Sequence, residues 1–219
     1  TYDLMISFIE QASLNATELL QKRAEAKKQS LSTTAFALKW VSDTSSFKEI
    51  IFKGYKRDTT LSEATGLQKM FYNHQLPFTQ QVKYFNTFKP VDLVKKPTAY
   101  IIPQGWYAVV ELLKLNGVKV EQLKKDTRFP VTAYHIDSYK SMASPYEKHH
   151  KNYNVQVTAL QKEMNFLEGD YSIVLDQSVN RYIVEMLEPT GEDSFFAWNF
   201  FDAVLQQKEG YSDYRWEDI

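Results

Sequence analysis

Between Phe195 and Phe201, five of seven side chains are aromatic: Phe195, Phe196, Trp198, Phe200 and Phe201. Each hides on the order of 150–250 Å² when buried, so a chain with such a segment must cover it with its own core or with a neighbour. The rest of the composition agrees with a folded chain. Its 219 residues hold 14 Phe, 14 Tyr and 4 Trp against only 7 Gly and 7 Pro, which argues against a disordered tail and leaves room for one sizeable core or two small ones. The absence of cysteine excludes disulfides, thiolate metal sites and a cysteine nucleophile. With 26 basic and 27 acidic side chains, the chain lacks the positive field that a nucleic acid or an anionic membrane would need. Apolar runs such as Tyr107 to Leu115 stay far short of the roughly 20 residues of a membrane span.

The expected fold class is α+β. Leu4, Met5, Phe8, Ile9, Ala12, Ala16, Leu19 and Leu20 fall on one face of a helix, and Lys22, Arg23, Lys27 and Lys28 follow at its far end. Thr33 to Val41 and Phe47 to Tyr55 are rich in β-branched and aromatic residues and flank the turn-type run Ser42 to Ser46, which predicts a β-hairpin. Gln81 to Phe88 predicts a further strand, and the connector between Pro90 and Pro97 is the best candidate for a boundary. Beyond it the pattern predicts a strand at Thr98 to Ile102, a helix from Trp106 to Leu115 closed by Asn116-Gly117, and a strand at Val118 to Leu123. Read together these form a parallel β-α-β unit. Val131 to Tyr139 and Asn154 to Leu160 predict a longer hairpin, Tyr171 to Leu175 a strand, Ser178 to Pro189 a helix, and Phe195 to Leu205 an aromatic helical segment. The expected divisions are residues 1–30, 31–96 and 97–219.

Three chemistries can be sought in the residues. For a metal, the histidines are His74, His135, His149 and His150, and none sits in an HxxE or HExxH arrangement. Tyr146-Glu147-Lys148-His149-His150 gathers a carboxylate and two imidazoles, but adjacent side chains diverge on a helix or strand, so a polar hairpin loop is the simpler reading. For nucleophilic catalysis, GxSxG is absent and a thiol version has no residue to use. For paired carboxylates, Glu185 and Glu188 lie near a helix end with Asp193 beyond Pro189. Acids there oppose the helix dipole, so Arg181 or backbone amides are expected as their partners.

Resemblance adds a family. The string Leu187-Glu-Pro-Thr-Gly-Glu-Asp-Ser-Phe-Phe-Ala-Trp-Asn-Phe-Phe-Asp202, the Lys208 to Asp218 run, Pro97-Thr-Ala-Tyr-Ile-Ile-Pro103 with Gly105-Trp106, and Ser144-Pro-Tyr-Glu147 resemble the region downstream of the catalytic domain in large bacterial zinc carboxypeptidases. Those enzymes are relatives of carboxypeptidase A. The family's zinc site uses an HxxE pair with a distant His, and a Glu serves as general base. None of these motifs occurs here, so no ligand or catalytic residue carries over. Thr1-Tyr-Asp-Leu-Met5 looks like the helix that follows the general-base strand. The resemblance therefore implies a cut from a larger secreted or periplasmic protein, with zinc and peptide hydrolysis residing in a catalytic domain outside this sequence.

On that reading the chain is non-catalytic, holds no cofactor, and packs on its own peptidase domain, shaping access to the cleft where peptide substrate binds. The candidate interaction surface is Tyr146, Glu147, His149, His150, Trp106, Trp198 and Phe201. The apolar stripe of the first helix could alternatively pair two copies as a homodimer. Two other classes stay open: a peptide- or glycan-binding module stacking ligands on Trp106 and Trp198, and a free-standing hydrolase using Glu185 or Glu188 with Asp193.

Overall fold

The computed structural model describes residues 1–206; the Lys208 to Asp218 run lies outside the described residues. The fold is mixed α+β, with several small antiparallel sheets. It forms two compact units, one built from Thr1–Lys39 and Asp92 onward, the other from Trp40–Val91.

The first unit begins with α1 (Tyr2–Leu14) and α2 (Ala16–Ser32). A single long helix was expected here. The chain instead breaks at Asn15, whose backbone lies at φ -107°, ψ 19° while its own side-chain amide donates to Gln11 O. An asparagine amide that can compete for a helix carbonyl is a poor interior residue and a good terminator. Neither helix buries a residue, so the stripe of Leu4, Phe8 and Ile9 stays more than half exposed.

β1 (Ala35–Ser42) follows, then β2 (Lys48–Leu61), β3 (Gln68–Tyr84) and β4 (Phe88–Lys95). The expected hairpin of Thr33–Val41 with Phe47–Tyr55 does not form: β1 pairs with β4, and β2 pairs antiparallel with β3. Local turn chemistry explains the exchange. At Ser42–Ser46 the Asp43 N–H donates to Thr87 O and its carboxylate accepts from Ser45 N and Oγ, which redirects the chain rather than reversing it. The tight reversal lies at Ser62–Leu67, where Gly66 supplies φ +67° and donates to Ser62 O.

The rest of the first unit holds its core. β5 (Ala99–Ile102), a 3-10 turn at Gln104–Trp106, α3 (Tyr107–Leu115) and β6 (Glu121–Gln122) lead into β7 (Thr127–Ser141), β8 (Asn152–Phe166), β9 (Tyr171–Val174) and α4 (Asn180–Leu187). β5 and β6 run parallel to each other, as expected for β-α-β, but they are not neighbours. β9 lies between them, antiparallel to both. Its Ile173 is fully buried, whereas β6 has shrunk to two exposed residues, so the apolar strand takes the centre. Val109, Val110 and Leu113 of α3 pack with Ile102, Ile173, Leu175, Ile183, Val184 and Phe195. Each such side chain contributes about 1.5–3 kcal/mol on full burial.

β7 and β8 form the expected hairpin, longer than the sequence suggested. The Phe195–Leu205 segment is not a helix. It runs through turns into a 3-10 helix at Asp202–Leu205, because Asn199 adopts φ +68°, a left-handed value that interrupts any right-handed helix.

Candidate functional site

The loop between β7 and β8 contains a two-residue turn held at some cost. Tyr146 and His149 exchange both backbone hydrogen bonds at 2.9 Å, and the residues between them, Glu147 and Lys148, have φ of 49° and 69°. A turn with two left-handed positions suits Asn-Gly, whereas each ordinary side chain there costs about 1–2 kcal/mol. The turn presents two rings on one side. The Trp198 ring centroid lies 6.3 Å from Tyr146 and 5.6 Å from His149, and Phe200 stacks on His149 at 6.1 Å. Asn199 fastens the two segments by donating from Nδ2 to His150 O at 3.1 Å.

Charge completes the cluster. Lys151 Nζ sits 4.8 Å from the Trp198 ring centroid and 2.6 Å from Asp193 Oδ1, and Trp198 Nε1 donates to the same oxygen at 3.2 Å. The Lys151 ammonium donating to Asp193 holds that carboxyl below its usual range, with the Trp198 bond adding to it. His150 turns away, its Nδ1 2.8 Å from Met142 O. Tyr146 keeps 61% of its surface exposed. The structure therefore brings Tyr146, His149 and Trp198 together, around residues that sequence reasoning missed: Lys151 and the strained backbone of the turn. Trp106 and Phe201 form a separate edge-to-face pair at 4.9 Å, packed against the buried core.

The three carboxylates considered for hydrolysis have different partners. Glu185 pairs with Arg181 at 3.1 Å, as expected from the helix dipole, and Asp193 serves Lys151. Glu188 is 3% exposed and accepts a hydrogen bond from the Tyr100 hydroxyl, with the Tyr134 hydroxyl also in its surroundings. Burial pushes its carboxyl above the usual range; the hydroxyls of Tyr100 and Tyr134 oppose this and the charge of Asp92 adds to it. Burial, then the Glu188 charge, raises Tyr100 strongly and Tyr134 to about 12. The sequence marked Glu188 as an acid in need of partners but pointed to Arg181 or backbone amides rather than to tyrosines, since those lie on β5 and β7.

An open cavity of about 600 Å³ is lined by Lys39, Asp92, Met142, Thr190–Glu192 and residues 151–156. Among the described residues no three histidine or carboxylate side chains converge to hold a metal ion, so these residues do not fit a zinc site.

Over 114 residues the chain is 27% identical to Carboxypeptidase 2 of Trichophyton tonsurans, a stretch that covers 51% of this chain and 21% of that protein. The chain thus spans about a fifth of the length of the curated relative it matches. The similarity is distant and partial, and it points to a carboxypeptidase relationship. No family model matches the sequence, and no solved structure matches it.

Proposed function

We propose that this chain is a non-catalytic accessory region of a secreted zinc carboxypeptidase, and that it docks on the peptidase domain of that enzyme and shapes access to the peptide-binding cleft. The observation that carries the reading is the Glu147–Lys148 turn. Two non-glycine residues are held at positive φ, and the result is an exposed Tyr146 and a His149 set against Trp198. Strain of this kind persists where the surroundings over-determine it and clusters at functional segments. An aromatic tip rimmed by polar side chains is the usual anatomy of a protein interface. The likeness to Carboxypeptidase 2 over 114 residues supports the carboxypeptidase part of the reading. The exposed stripe of α1 is a second apolar face that the same domain would cover.

Zinc content and release of C-terminal residues from peptides are both expected to be absent from purified residues 1–219 and present in the full-length enzyme. Stoichiometric zinc with peptide hydrolysis by residues 1–219 alone overturns the proposal. In the full-length enzyme, replacing Tyr146 and Trp198 with alanine is expected to speed hydrogen exchange on the peptidase surface they cover. Unchanged exchange there removes the docking role.

A further inference from the structure

The open cavity meets Asn152, Tyr153, Asn154, Val155 and Gln156, five consecutive residues of β8. Side chains alternate between the two faces of a strand, so a cavity that touches five in a row faces the strand's edge, where backbone groups project. From Tyr153 to Gln156 that edge pairs with no described strand, because β7 and β8 form a two-stranded sheet and β7 takes the other side; at Asn152 the backbone N–H already donates to Ala197 O at 2.8 Å. A bulge shapes it. Pairing passes from Ser138 with Gln156 to Lys140 with Tyr153, which leaves Asn154 and Val155 opposite Tyr139 alone, and Asn154 has φ 52°. Bulges of this kind bend the strand and re-aim side chains, and they recur beside binding sites.

The Thr190–Glu192 part of the lining is built closely. A Cβ on Gly191 would lie 2.7 Å from Glu185 O and 3.2 Å from Glu188 O, so the Thr190–Glu192 wall is pinned to the end of α4. Charge on the walls is mixed. Lys39 and Lys151 stand with Asp92 and Glu192 around the same space, and Lys39, Asp92 and Glu192 have no ion-pair partner among the described residues. A volume of about 600 Å³ lies within the ordinary range of ligand sites.

We propose that this cavity binds an extended peptide segment of about five residues, which adds as a strand to the open edge of β8. Its backbone pairs with Tyr153–Gln156, and the wall charges without an ion-pair partner, Lys39 against Asp92 and Glu192, select a segment carrying one acidic and one basic side chain. This goes beyond the accessory reading and does not depend on it, since the site lies wholly within this chain and needs no peptidase domain.

The test titrates residues 1–219 with an acetylated, amidated heptapeptide of alternating valine and threonine that carries one central glutamate and one lysine. The same peptide N-methylated at alternate residues is the control. Binding is expected, with amide exchange slowed at Asn154–Gln156 and affinity at least tenfold weaker for the N-methylated peptide. Glu192→Lys, an exposed substitution, is expected to weaken binding at least threefold without changing the circular dichroism spectrum. Absence of binding, equal binding of the N-methylated peptide, or protection away from β8 overturns the proposal. So does concentration-dependent protection of β8 without peptide, which would mean that two copies pair edge to edge.

Discussion

Glu188→Ala removes the acceptor of the Tyr100 hydroxyl. Glu188 is 3% exposed, and the hydroxyl of Tyr100 on β5 donates to it, with Tyr134 of β7 also in its surroundings. A hydrogen bond to a charged group contributes about 1.5–3 kcal/mol, and an orphaned buried donor costs about 1–3 kcal/mol. Tyr134 is 40% exposed and can turn to water, so most of the loss falls on Tyr100. Relief from burying the carboxylate offsets part of it. The expected net cost is about 2–3 kcal/mol for the alanine variant, and about 1–2 kcal/mol for Glu188→Gln, whose amide oxygen still accepts from one tyrosine. Urea denaturation followed by circular dichroism measures both. The pH dependence has a definite sign. Burial raises the folded carboxyl above its usual value, so between the unfolded value and that raised one the native state binds more protons, and stability falls as pH rises. Glutamine cannot ionise. The stability difference between wild type and Glu188→Gln should therefore move in favour of the variant from pH 4 to pH 7. A cost below about 0.5 kcal/mol for the alanine, or a difference moving the other way, would mean that Glu188 does not hold Tyr100 in the folded state.

Gly191→Ala places a Cβ 2.7 Å from Glu185 O, a backbone atom that cannot swing aside; a loss of about 1–3 kcal/mol is expected in the same denaturation assay. Lys148→Gly relieves one left-handed residue, and thermal unfolding should show a gain of about 1 kcal/mol, because glycine enters that conformation without a Cβ clash.

Period and turn chemistry made α3, α4 and the β7–β8 hairpin legible. Val109, Val110 and Leu113 recur at helical spacing because they face one core, and the hairpin strands alternate as a half-buried ribbon must. The pairing of β1 with β4 was illegible for a physical reason. A strand of β-branched and aromatic residues can pair with any similar strand, and only the Ser62–Leu67 reversal, which reads as a mixed polar stretch, decides the partner. β9 taking the centre of its sheet was hidden in the same way, since order within a sheet is a property of the packed core rather than of any strand's own sequence. At the candidate site, Tyr146, His149 and Trp198 could be named from aromatic density, but their meeting depends on the φ values of Glu147, Lys148 and Asn199; asparagine tolerates the left-handed region, whereas the side chains of Glu147 and Lys148 give no warning of it. The partners of Glu188 come from β5 and β7, some 50 to 90 positions away, although its place at a helix end next to a proline did signal an acid in need of partners.

The strained turn also bears on what the loop is for. Two residues at positive φ cost about 2–4 kcal/mol, a sizeable share of the roughly 5–15 kcal/mol that holds a domain folded. Within the chain the visible compensation is the packing of Tyr146 and His149 on Trp198, at about 0.5–1.5 kcal/mol per aromatic pair, with about 0.5–1 kcal/mol from Lys151 over the indole. These sums roughly cancel, so the loop adds little net stability, and a glycine-containing turn would serve a purely structural hairpin better. What the left-handed pair does supply is a fixed direction for Tyr146, which points its largely exposed ring outward beside Trp198. A feature that is neutral for folding but specific in what it displays is better explained by a partner than by the stability of this chain alone.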